Sequence, residues 1–194
     1  MKLLNSHKGA EIKTTTLANL RELRACKDSY DTLAAHVGED FTGEISLDTA
    51  LEVLPLEDCV WALRTIEGGA AIAVEFAIRV AYPFGSVEWK LWADKWLSGE
   101  DRSEESAKAA ADATAYASAY AAAYAIDAAC AAATARAAAA AAAAAYAAID
   151  ALIEDAHATT YTAAYATANA TANAAEDRPA ELARQTVILK ELLK

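Results

Sequence analysis

From Ala107 to Ala175 more than half of the residues are alanine, and neither glycine nor proline occurs between Glu100 and Arg178. No other feature restricts the fold as much. Alanine is the strongest helix former and carries no functional group, so the tract builds helical surface and supplies almost no chemistry. Drawn out as one helix it would make a rod of about 100 Å at roughly 1.5 Å per residue. Tyr116, Tyr120 and Tyr124 recur every four residues, yet no heptad pattern runs through the tract. A lone rod of this kind has nothing to bury its stripe against. The expected solution is a fold-back into two or three helices, in which alanine faces approach closely and tyrosines fill the gaps. Thr134-Ala135-Arg136 and the Thr/Asn-rich stretch 157–173 are the candidate break points.

The rest of the chain reads as short helices. Residues 1–13 show no helical period and are expected to be a flexible N-terminal arm. Thr14-Thr15-Thr16 offers N-caps before Leu17, Leu20 and Leu23, and Asp28 or Ser29 before Tyr30, Leu33 and Val37, with Gly38 as the stop. Ser46 caps a third helix with Leu47, Leu51 and Leu54 inward. Pro55 then breaks it and opens a fourth, whose stripe is Leu56, Cys59, Val60, Leu63 and Ile66 beside Trp61. Gly68-Gly69 is a turn. Ala70 to Ala81 predicts a buried helix, although its near-alternation of bulky residues also fits a strand. Ser86 caps a helix with Trp89, Trp92 and Trp96 on one face, closed by Gly99. That spacing places the tryptophans in a core. Asp101 and Glu104 have capping-box spacing at the start of the Ala-rich tract. Asp177 caps a last helix with Pro179 in its first turn and Leu182, Ile188, Leu189 and Leu192 as its inner edge.

The fold class these patterns predict is all-α: a multi-helix bundle with long Ala-rich helices folding back on a Trp-containing helical core. Residues 14–194 read as a single all-helical domain, with a short-helix core over 14–100, Ala-rich helices over 101–175 and a closing helix over 176–194. No run of bulky apolar residues reaches the roughly 18–20 needed to cross a bilayer, and the first eight residues lack a signal-peptide core. A cytoplasmic location in a bacterial host is expected.

Reactive chemistry is sparse. Cys26, Cys59 and Cys130 are far apart and form no C-x-x-C, so neither a disulfide framework nor a zinc site is suggested, and all three are expected to be reduced and packed on helix faces. Glu154-Asp155-Ala156-His157 has the E-x-x-H spacing of carboxylate-bridged di-iron bundles, but no second pair exists. No nucleophile elbow, P-loop or dinucleotide fingerprint occurs, and His7, His36 and His157 are widely separated. The chain is expected to be no enzyme and to hold no metal or cofactor.

Charge is the more informative signal. The net charge is −11, and residues 31–105 carry sixteen acidic against five basic groups. Glu39, Asp40, Glu44, Asp48, Glu52, Glu57 and Asp58 follow one another without an intervening base. Direct binding to nucleic acid is disfavoured, since phosphate contacts need clustered Lys and Arg. Those seven carboxylates are the candidate partner-binding residues, steering a protein with a basic surface.

The segment Leu56-Glu57-Asp58-Cys59-Val60-Trp61-Ala62-Leu63-Arg64 resembles a motif of the immunity-protein-like family sometimes called Imm5-like, found in bacterial toxin–immunity loci and in phage genomes. Leu20-x-x-Leu23-x-Ala25-Cys26, the helix ending Trp96-Leu97-Ser98-Gly99, the Ala-rich repeat with interleaved aromatics and a closing helix containing Gln185 are similar too. The resemblance implies a non-enzymatic inhibitor that neutralises a toxin or an antiphage-defence protein by binding it. Three other readings stay open: a DNA mimic acting on a nucleic-acid-binding enzyme, a structural helical scaffold or oligomer, and a protein that sequesters a small molecule.

Overall fold

Two-residue strands, invisible in the pattern of the chain, tie its first helices together. Thr14–Thr15 (β1) pairs antiparallel with Ile45–Ser46 (β2), Thr14 opposite Ser46 and Thr15 opposite Ile45. Each strand runs straight into a helix whose cap is a β-region hydroxyl. Thr16 accepts from the Asn19 N–H to open Leu17–Glu22 (α1), and Ser46 accepts from the Thr49 N–H to open Leu47–Val53 (α3). Of the three expected threonine caps, only Thr16 serves as one. Thr14 and Thr15 are committed to the strand ladder instead. The computed structural model describes residues 13–112, 164, 166–169 and 178–194. Within it Lys13, assigned above to a loose arm, is held by the Leu47 N–H donating to its carbonyl.

Helix α1 ends after less than two turns. Arg24 adopts a left-handed conformation (φ 59°), with its N–H on the Arg21 carbonyl and the Ala25 N–H on that of Leu20. This is the usual glycine-type helix stop, made here by an arginine. It leaves Leu23 on the surface rather than in the expected inner stripe. Lys27–Val37 (α2) starts before either predicted cap. Cys26 is the N-cap and offers no side-chain bond, and the Ser29 hydroxyl is spent on Asp58 of another helix. Gly38 stops α2 as expected.

Leu56–Ala62 (α4) begins at Pro55 and tightens into a 3-10 turn, Leu63–Thr65. Cys59, Val60 and Leu63 are fully buried along its expected stripe. Gly69–Ala81 (α5) is a helix and not a strand, and it is buried on most of its circumference, from Ala73 and Val74 through Phe76, Ile78 and Val80. A 3-10 turn, Tyr82–Phe84, carries the chain into Val87–Ser98 (α6), which Ser86 caps through the Trp89 N–H. Trp89, Trp92 and Trp96 are buried on one face as predicted, with successive ring centroids 5.5 and 5.7 Å apart. A Cβ on Gly85 would come within 2.3 Å of the Trp89 ring, so glycine lets that indole lie on the backbone.

Residues 104–112 form the first described turns of the Ala-rich tract. Their cap is Ser103, whose hydroxyl accepts from the Ser106 N–H, one position pair beyond the expected Asp101 and Glu104. Asp101 instead accepts from the Ser103 N–H and hydroxyl, which hold its carboxyl below the usual range. Ala107 and Ala111 from this end of the tract, and Ala164 and Ala168 from the other, are buried in the same apolar core as the tryptophans. Residues 1–12, the Tyr116–Tyr124 repeat, the expected break point at Thr134–Arg136, Cys130 and the Asp177 cap lie outside the described residues, and of the other expected break, 157–173, only 164 and 166–169 are described, as helix.

The last helix, Arg178–Leu192 (α7), packs on α5. Its inner edge is rotated from the leucine stripe expected above. Glu181, Gln185 and Leu189 are buried at 8%, 0% and 0% exposure, while Leu182, Ile188 and Leu192 are only half-buried. Polar bonds explain the rotation. Gln185 Nε2 donates to the Ala168 carbonyl and to Glu181 Oε1, each at 2.9 Å. Arg184 donates to both oxygens of Glu181 at 2.7 and 2.8 Å, and to the Val80 carbonyl at 2.9 Å. Burial is the strongest single influence on Glu181 and opposes its ionisation. The bonds from Arg184 and Gln185, with the guanidinium charge, together outweigh it and hold the carboxyl below its ordinary range. The all-α helical bundle predicted for the chain is therefore the observed class, with one minimal sheet added. No helix among the described residues is long and apolar enough to cross a membrane.

Candidate functional site

The seven carboxylates do not all share one environment. Glu39 and Asp40 follow Gly38 in the connection from α2 to β2 and are exposed. Glu44 is exposed and accepts from the Thr14 hydroxyl at 3.1 Å. Asp48 and Glu52 stand one turn apart on the outer side of α3, and Glu57 is exposed in the first turn of α4. Asp58, next to it, is half-buried. Among the described residues none of the seven is in an ion pair. Six thus form open negative surface along β2, α3 and their flanks, and the seventh turns away from it.

Asp58 turns toward α2, where Ser29 donates to its Oδ2 at 2.7 Å. The two side chains stand in the wall of a cavity of about 80 Å³ between α1, α2, α3 and α4. Its lining is mostly apolar and aromatic, from Leu20, Tyr30, Leu33, Leu47, Leu54 and Trp61. Each wall follows from a local feature already described. The left-handed Arg24 ends α1 and turns the chain so that Ala25, Cys26 and Tyr30 all reach the lining. Proline at position 55 sets the start of α4, so Asp58 and Trp61, three apart, fall on one side of it. The rings are braced from elsewhere. Arg21 donates to the Tyr30 hydroxyl at 2.7 Å and lies 5.1 Å from its ring centroid, and Arg64 lies 5.0 Å from that of Trp61. Thr15, 2% exposed, also lines the cavity, and its Oγ1 has no hydrogen-bond partner among the described residues.

Sequence reasoning named Asp58 for the surface, Ser29 as a cap and Trp61 as a neighbour of a stripe. It did not bring them together, because Ser29 and Asp58 are 29 positions apart and nothing periodic links them. The only available sign was the Leu56–Arg64 segment, which contains both Asp58 and Trp61.

Nucleophilic and metal chemistry find little support in this neighbourhood. Burial, reinforced by the Asp58 charge, pushes the Cys59 thiol up to about 12, so it stays protonated and unreactive. Cys26 is exposed, contrary to the expectation that every cysteine packs on a helix face, because it sits at the cap of α2 rather than within it. Among the described residues no three His, Cys, Asp or Glu side chains gather as metal ligands. Glu154 and His157, the E-x-x-H pair, lie outside those residues, as do His7 and His157's neighbours in the tract. Comparison of the chain with protein-family models, with curated proteins and with solved structures finds no match.

Proposed function

We propose that this chain acts by binding, as an inhibitor that neutralises a protein with a basic surface, and that Glu39, Asp40, Glu44, Asp48, Glu52 and Glu57 are the encounter surface. The observation that carries this reading is the six exposed carboxylates without an ion-pair partner among the described residues. No lysine or arginine occurs from Asp28 to Leu63, so nothing in that segment offsets their field. Such a field raises association rates with a positive partner and rejects negative ones. Phe41, 39% exposed between Asp40 and Glu44, supplies an aromatic anchor within the charged surface. The resemblance to immunity-like proteins supports a toxin or an antiphage-defence protein as the target.

The test is capture of toxin or defence proteins encoded beside this gene, with binding measured from about 0.05 M to about 1 M salt, where the screening length falls to ~3 Å. Association is expected to slow by at least about tenfold across that range. Replacing Glu39, Asp40, Asp48 and Glu52 with their amides should have a similar effect at low salt. A complex indifferent to both salt and these substitutions overturns the proposal. Displacement of the captured protein by duplex DNA would favour the DNA-mimic reading instead.

A further inference from the structure

We infer that the cavity between α1, α2, α3 and α4 is a binding site for a small organic cation, an amine whose short aliphatic body fills the cavity while its ammonium group meets Asp58. The site is separate from the encounter surface, whose six carboxylates do not line it. Its volume of about 80 Å³ is several times the ~10–15 Å³ that one water needs and about half the ~150 Å³ of a cavity that takes up benzene, so the guest has only a few heavy atoms. Leucine, alanine, tyrosine and tryptophan make up most of the wall, an apolar lining with few polar groups.

The charge selects the ligand. Asp58 is the only ionisable acid in the lining, and no lysine or arginine lines the cavity. Its one hydrogen-bond donor among the described residues is the neutral Ser29 hydroxyl, which leaves most of the lone-pair sites of the carboxylate open. A neutral guest would fill the space and leave that charge uncompensated. An anion would be repelled. An ammonium group forms a charge-assisted bond with the carboxylate.

Propylamine, with propan-1-ol and propionate as shape-matched controls, probes the site in the full chain by nitrogen–proton NMR. Propylamine is expected to give saturable shifts at Ser29, Tyr30 and Trp61. Propan-1-ol should bind about tenfold or more weaker, the scale of one lost charged hydrogen bond, and propionate not at all. Asp58→Asn should weaken propylamine by a similar factor, and Ala25→Leu, which adds bulk to the lining without touching the charge, should weaken it too. The comparison of amine, alcohol and carboxylate in the parent chain decides the assignment if Asp58→Asn does not fold. Equal binding of amine and alcohol, absence of saturable shifts at the cavity residues, or unchanged affinity in Asp58→Asn each overturns the assignment.

Discussion

Helices α6 and α7 close on the same core by opposite means. Helix α6 is specified by its own residues: a serine cap, a left-handed glycine stop and three tryptophans stacked along one face. Helix α7 is held by side chains that reach backbone carbonyls of remote segments, Val80 on α5 and Ala168 on the Ala-rich tract. Large rings gain about 25 cal/mol for each Å² of apolar area they bury. The long amide and guanidinium of α7 instead bond carbonyls of two other segments, Gln185 that of Ala168 and Arg184 that of Val80 near the end of α5.

That contrast can be broken in four ways, and the largest effect belongs to α6. Trp89→Ala removes a ring that is 1% exposed and leaves a cavity, at an expected cost of about 3–5 kcal/mol in unfolding free energy, read from urea denaturation. A cost below about 1 kcal/mol would mean that the ring does not support the core. Gln185→Ala comes next. It strips the Ala168 carbonyl and Glu181 of a donor, for about 1–3 kcal/mol. Hydrogen exchange in this variant should quicken across α7 and leave α6 protected, and equal quickening of both would erase the distinction. Gly99→Ala is milder. The glycine has φ 79° and no neighbour within 4 Å of an added Cβ, so only backbone strain of about 1 kcal/mol is added, read as a lower melting temperature.

The smallest expected change is with pH. The folded value of Glu181 lies below its unfolded value near 4.5, so its contribution is complete above about pH 4.5 and fades as the pH falls through the folded value. Glu88 in the first turn of α6 is also held low, by its own backbone N–H and the Ser86 hydroxyl, but it is fully exposed and well screened. Acid should therefore loosen α7 before α6 in hydrogen exchange. Glu181→Gln should remove that order, and its persistence in the variant would assign it to another group.

The same contrast explains what was legible in the chain. Ser46, Pro55, Ser86, Gly99 and the tryptophan stripe act within a turn of their own positions, so periodicity and capping rules found them. The rotation of α7 was hidden because Leu182, Ile188 and Leu192 make a plausible apolar edge, while the bonds of Arg184 and Gln185 depend on carbonyls 104 and 17 positions away. The β1–β2 pair was hidden for the same reason, since two residues per strand carry no alternation to read. At the cavity, the carboxylate and the indole were each visible as residues. Their meeting with Ser29 and Tyr30 was not, because it depends on the left-handed Arg24, a position where glycine is the expected residue.

The bond from Arg184 to the Val80 carbonyl has a consequence for the timing of biosynthesis. Val80 lies in the final turn of α5, and Arg184 is translated 104 residues later. At roughly 5–20 residues per second the ribosome needs about 5 to 20 s to cover that interval. Throughout it the nascent polypeptide lacks the bond that ties α7 to the end of α5, which can close only after residue 184 has been made.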